Sequence, residues 1–307
     1  MKKTLNIIFI LMNIAFISLY SLCGCTSKTE IDATSSTVDS VSDEISQYNK
    51  GVKSMKNNDW DDAIKYFSDI QYKDSSVLLE KCKKEKGMHE NSDYDFLETM
   101  SKSIMKRYEA SEENDDREKC IEIELEMIGD FKNKTFYDLE LKQLADDYID
   151  GVEIEKKSLT ETDGNKQLKY YEGHAKRFKT LKKLTDNYGL LNDNIDYKTN
   201  YYNQADKEIE YYTAYKEIEA DLKEQFGENV LCDYVDDVTS RIRIKNNTKY
   251  DYDMTIHFVF YDGDDTIVET NEVYYEDIKA GKKYNLDFYF PINAESFDYY
   301  TEEYIDL

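Results

Sequence analysis

The stretch Tyr252-Asp253-Met254-Thr255-Ile256-His257-Phe258-Val259-Phe260-Tyr261-Asp262-Gly263 decides how this chain divides. Tyr252, Met254, Ile256, Phe258 and Phe260 fall on one face of an extended chain, and Asp253, Thr255, His257 and Val259 on the other. That is the period of a half-buried strand. Asp262-Gly263 supplies a hairpin turn into a second strand, from Thr266 to Tyr275. Upstream, Val238, Ile242 and Ile244 alternate with Arg241, Arg243 and Lys245 before a turn at Asn246-Asn247. Downstream, Lys279-Ala280-Gly281 turns the chain into Tyr284, Leu286, Phe288 and Phe290, and Pro291 stops that strand. Short strands with turns this regular predict a small all-β sandwich over residues 228–307.

Before Gly227, itself a candidate helix C-cap, the period is helical. Phe96, Met100, Ile104 and Tyr108 form one stripe and Cys120, Ile123, Met127 and Phe131 a second, with an acidic turn around Glu112 to Asp116 between them. Leu141, Leu144, Ala145, Tyr148 and Val152 form a third, Tyr171, Ala175, Phe178 and Leu181 a fourth, and Ala205, Ile209, Tyr212, Tyr215, Leu222 and Phe226 a fifth. No Pro precedes Pro291 to kink these helices, and no a/d heptad register persists. The expectation is an antiparallel helical bundle over 89–227. The fold class is therefore multidomain α plus β, all-α followed by a C-terminal all-β sandwich.

A helical hairpin is predicted at 43–88. Gly51 and Ala63 are small where two helices must approach, and Tyr48, Trp60 and Phe67 are placed to fill the gap. Asn57-Asn58-Asp59 makes the turn, Asp59 caps the second helix, and Asp74 or Ser75 caps a third. Over about residues 45–86 these spacings resemble a tetratricopeptide repeat. The resemblance implies one hairpin with a capping helix and a surface used for binding.

Ahead of it, residues 25–42 are rich in Ser, Thr and acidic side chains and read as a flexible tether. Residues 1–24 begin with Lys2 and Lys3, continue with the mostly apolar Leu5 to Leu22, and end at Leu22-Cys23-Gly24-Cys25. This is the build of an export signal. The last four residues resemble the lipobox of bacterial lipoproteins, and the Lys, Asn, Ile and Tyr-rich composition suggests a Gram-positive cell. The resemblance implies cleavage after Gly24, a diacylglycerol (and with it palmitate) on Cys25, and a place on the outer face of the cytoplasmic membrane. The sandwich, through Phe258-Val259-Phe260-Tyr261-Asp262 and its turns at Asn246-Asn247 and Ala280-Gly281, resembles the FxLYD domain, an immunoglobulin-like module of exported bacterial proteins. That family implies a non-catalytic accessory role.

Composition narrows the rest. The formal charge of −25 becomes −27 once residues 1–24 remove Lys2 and Lys3, and 35 Lys stand against five Arg. A surface this acidic repels nucleic acid, which is set aside as a partner. Asp262-Gly263-Asp264-Asp265 lacks the oxygen spacing of a calcium loop. Cys82, Cys120 and Cys232 show no zinc spacing; they read as buried thiols, with a Cys82–Cys120 bridge left open. His89, His174 and His257 sit at positions read as polar surface, away from any nucleophile motif. No catalytic residue, cofactor site or metal site is expected. In the pairs Tyr201-Tyr202, Tyr211-Tyr212, Tyr274-Tyr275 and Tyr299-Tyr300, one ring is expected inward and the other toward water or a protein surface. The sequence thus predicts a non-enzymatic binding or scaffolding lipoprotein with an envelope protein partner. The alternative is an accessory protein for a solute or wall glycan, favoured by a deep Tyr-lined pocket.

Overall fold

The structure, a computed structural model, describes residues 36–305 apart from 115, 162–164, 192–194, 227–231 and 237. It is mixed α plus β, with eight α-helices among the described residues followed by two antiparallel sheets. The chain divides into two compact units, Met1–Asn91 and Ser92–Leu307.

The first unit contains α1 (Ser36–Lys56), α2 (Trp60–Ser68) and α3 (Ser75–Glu90). Helix α1 starts inside the stretch read as a tether. Val38, Val41, Ile45, Tyr48 and Val52 repeat at alternating three- and four-residue spacings, and this period runs through the Ser-rich composition. The small-against-aromatic packing is in place: Ala63 is fully buried, and a Cβ on Gly51 would stand 2.7 Å from the Phe67 ring. Tyr48 packs edge-on against Phe67 and Tyr72. Asn58 takes the left-handed conformation (φ 61°) that closes the α1–α2 turn. Asp59 and Asp74 stand at the N-cap positions, but neither side chain caps its helix. The Asp74 carboxylate instead accepts from the Tyr48 hydroxyl at 2.6 Å, tying α1 to the start of α3.

The second unit opens with α4 (Asp93–Asn114), α5 (Arg117–Ile128), a short 3-10 turn, α6 (Leu139–Ser158), α7 (Asn165–Tyr188) and α8 (Ile195–Phe226). Asp116 and Asp138 do cap α5 and α6, accepting N–H groups of the first turn. The α6 stripe is buried as its spacing predicts. Two faces differ. The stripe of α4 continues to Arg107, which is buried, and not to Tyr108. In α5 the buried face is Cys120, Ile121, Glu124 and Ile128, while Ile123 and Met127 are half-buried. Both shifts bring charged side chains inside. Helices α6 and α7 cross glycine on glycine: a Cβ on Gly173 would lie 2.6 Å from the Gly151 carbonyl oxygen.

The sheets are β1-β2-β5 (sheet one) and β4-β3-β6 (sheet two), built from β1 (Cys232–Tyr234), β2 (Thr239–Lys245), β3 (Tyr252–Tyr261), β4 (Ile267–Ile278), β5 (Lys283–Tyr289) and β6 (Ser296–Tyr304). They face each other as a sandwich, with Phe258 stacked on Phe288 at 4.3 Å. The last turns of α8 belong to the same core: Ala214, Ile218, Leu222 and Phe226 cluster with Ile242, Met254, Ile256 and Leu286. The end of α8 thus contributes to the sandwich core, while Gly227, read as its C-cap, lies outside the described residues. Strands β1 and β6 are not among the expected strands: β1 is only three residues long, and β6 alternates only at Phe297 and Tyr299 and pairs with β3 from Asp253↔Tyr304 to Tyr261↔Ser296.

Asn246 holds the sandwich closed. It is fully buried. Its Nδ2 donates to the carbonyls of Tyr250 (2.7 Å) and Ile278 (3.0 Å), and its Oδ1 accepts from the Thr248 N–H and hydroxyl. At the hairpin, the Asp262 carboxylate accepts the N–H groups of Asp264 and Thr266, each at 3.0 Å. The acidic cluster there is a backbone turn.

Candidate functional site

Four bundle helices each bring a charged residue to one buried point: Arg107 (α4), Glu124 (α5), Glu155 (α6) and Arg177 (α7). Arg107 reaches Glu124 at 2.5 Å and Glu155 at 2.8 Å, and Arg177 Nε reaches Glu155 at 2.8 Å. Tyr148 donates its hydroxyl to Glu124 at 2.6 Å. Two cations face two carboxylates, so the cluster is neutral and its hydrogen bonds interlock. Burial alone would raise the Glu155 carboxyl; the Arg177 and Arg107 guanidiniums outweigh it and hold it below the usual range. Burial pushes the Tyr148 phenol well above its ordinary value. A carboxylate so held neither takes nor gives a proton near neutral pH, and the cluster acts as a four-helix cross-link.

The histidines are also bound into structure. His174 is half-buried, where the sequence reads it as surface. It lies between Tyr170 and Phe178, with Nδ1 3.2 Å from Glu208, because α8 packs over the face of α7 that carries it. Burial lowers its pKa, with the Arg177 charge acting in the same direction. His89 stacks on Trp60 at 6.0 Å. Beside that stack lies a cavity of about 420 Å³ lined by Asn58 to Asp62, Lys86, His89 and Glu90, in which Lys86 pairs with Asp61 and Glu90. It is rimmed by carboxylates, with no Tyr in its lining. Cys82 and Cys120 are free and buried, and burial pushes the Cys82 thiol up to about 11. The side chain of Cys232 and those of Tyr201 and Tyr202 lie outside the described residues, as do Cys25 and the whole lipobox. Among the described residues, no helix is long and apolar enough to cross a membrane.

What remains is the outer face of sheet two. Register places Asp253, Thr255, His257 and Val259 of β3 there, beside Glu272 and Tyr274 of β4 and Tyr300, Glu302 and Tyr304 of β6. The two Tyr pairs of this sheet split as expected. Tyr275 is half-buried and donates to the Asp287 carbonyl, while Tyr274 is 51% exposed. Tyr299 packs on Phe226, while Tyr300 stacks on His257 at 4.3 Å. His257 is bracketed by Glu272 (3.5 Å) and Glu302 (3.6 Å). Phenol hydroxyls are fixed by carboxylates, Tyr274 by Asp253 at 2.7 Å and Tyr304 by Glu302 at 3.1 Å. The face is aromatic and acidic. Individual Tyr pairs were legible in the sequence; the convergence of β3, β4 and β6 was not, since β6 itself was not read as a strand. Comparison of the chain with protein-family models, with curated proteins and with solved structures finds no match to any of them.

Proposed function

We propose that this chain is a lipoprotein held by a diacylglycerol on Cys25 at the outer face of the cytoplasmic membrane, and that it binds an envelope protein without catalysis. The observation that carries the reading is the tyrosine–carboxylate face of sheet two. Tyr rings already fixed by hydrogen bonds bury area on a partner at low entropic cost, which is what a protein-recognition surface needs. The buried carboxylates of the bundle, Glu124 and Glu155, are locked into the helix cross-link, and the His174 ring packs beside Glu208. The lipobox at Leu22 to Cys25, the tetratricopeptide-like hairpin and the FxLYD-like motif at Phe258 to Asp262 agree with an exported accessory module.

The test is in cells. A photo-reactive residue in place of Tyr304, 45% exposed on that face, should capture one envelope protein in near-equal amount. Cys25→Ala should abolish lipid labelling and release the protein to the medium. Retention at the membrane without label would remove the anchor. Recovery of wall fragments in place of protein would shift the reading to glycan binding.

A further inference from the structure

The outer edge of sheet two carries an observation of its own. Strand β4 is 12 residues long, pairs with β3 on one side, and forms no strand ladder on the other among the described residues, although its Tyr275 hydroxyl reaches the Asp287 carbonyl of β5. The ladder with β3 is irregular at both ends of β4: the register shifts between Tyr252 and Met254, where Asp277 adopts φ 61°, and again between Phe260 and Tyr261. The central run from Glu269 to Tyr275 is regular. An edge of this kind is a template for one more strand.

Charge selects the occupant. From Asp264 to Ile278 the chain carries Asp264, Asp265, Glu269, Glu272, Glu276 and Asp277, and no Lys or Arg. Glu269, Glu272 and Glu276 are exposed, Glu272 and Glu276 on the outer face with Tyr274, and Glu269 on the other. A second copy laid along β4 would bring like charges into cross-strand contact, which is destabilising, whereas Lys or Arg at the same places gains. Between those cations, Tyr274 and Ile267, 51% and 59% exposed, offer apolar surface.

We propose that β4 takes an extended, lysine- or arginine-rich segment of the envelope partner as an added strand. This rests on the scaffold reading and names the chemistry of its partner.

The probes are two nine-residue peptides that alternate Thr with Lys or Thr with Glu. They are titrated against the full lipid-anchored chain in detergent at low salt, with backbone amide exchange followed in parallel. The Lys peptide should bind, slow exchange within β4, and weaken steeply as salt is raised. The triple substitution Glu269→Lys, Glu272→Lys, Glu276→Lys should weaken it at least tenfold and admit the Glu peptide. The corresponding Gln variant, which keeps size and hydrogen-bonding capacity, should fall between, and thermal melts establish that all three proteins are folded. Equal affinity for parent and charge-reversed variant would overturn the proposal. So would protection located outside β4, binding of neither peptide, or a dimer of the chain paired through β4. In any of these cases, a protein still captured at Tyr304 leaves the scaffold reading standing; failure of both ends both.

Discussion

Two buried carboxylates in the same compact unit meet opposite fates. Glu155, at the centre of the bundle, is fully buried and paired with two guanidiniums, which hold its carboxyl below the ordinary range. Glu303, on the inward face of β6, is 6% exposed, and its Oε1 meets no hydrogen-bond donor among the described residues. Burial raises its carboxyl, and the charges of Glu219 and Glu302 add to the rise. Burial is common to both, so burial does not decide the ionisation state; the presence of a cation does. The bundle spends charge to lock helices in register. The sandwich carries one carboxyl that opposes its own fold at neutral pH.

The largest test of that contrast is to unpair the bundle. Arg177→Met leaves Glu155 and Glu124 with one cation and should cost about 3–5 kcal/mol in urea unfolding. Replacing all four charged residues by Met and Leu should restore most of that loss, because the desolvation penalty of four charges disappears with them. A single substitution costing under about 1 kcal/mol would mean that the network holds little.

Next is the polar keystone of the sandwich. Asn246→Ala leaves the Tyr250 and Ile278 carbonyls without their donor and should cost about 2 kcal/mol. A neutral result would mean that the sandwich, unlike the bundle, does not depend on a satisfied buried group.

The smallest effect has the opposite sign. Glu303→Gln should stabilise the protein at pH 7 by about 1 kcal/mol, since a carboxyl that burial disfavours in its ionised form is replaced by a neutral amide. The pH profiles separate the two carboxyls. Glu303, with its folded pKa raised, stabilises nothing and costs nothing while protonated in both states. As pH rises through the ordinary carboxylate range, the unfolded chain ionises first and the fold loses stability until Glu303 itself ionises. Glu155, with its folded pKa depressed, contributes stability present above the ordinary range and lost as pH falls through its folded value. Unfolding free energies at several pH values should therefore show a downward step between the ordinary and raised carboxyl values in the parent chain, absent in Glu303→Gln. An identical profile in both chains would refute the account of Glu303.

Much of this was legible along the chain. The α6 stripe and the β3 alternation are local periodicities, and each is buried where its spacing predicts. Gly51 against Phe67 was legible because a small residue at a fixed distance from an aromatic carries its packing in its spacing. Arg107, Glu124, Glu155 and Arg177 were not. Each stands at a core position of its own helix, but a count of apolar residues passes over a charged one, and only its partners on other helices make its burial tolerable. His174 was misread for the same reason, since its helix gives no sign that α8 will cover it. Strand β6 was missed because it is acidic and Tyr-rich, and its conformation comes from pairing with β3.

The sequence by itself determined the helical stripes of the bundle, the alternation of β2, β3 and β5, the change of period after Gly227 and the acidity. These depend on neighbours a few residues apart or on composition. Tertiary structure alone decided which charges are paired, that α8 completes the sandwich core, and that β4 is an edge lined with carboxylates. Those properties depend on which distant segments meet, and the free energy of a buried or paired charge is set by what lies across from it.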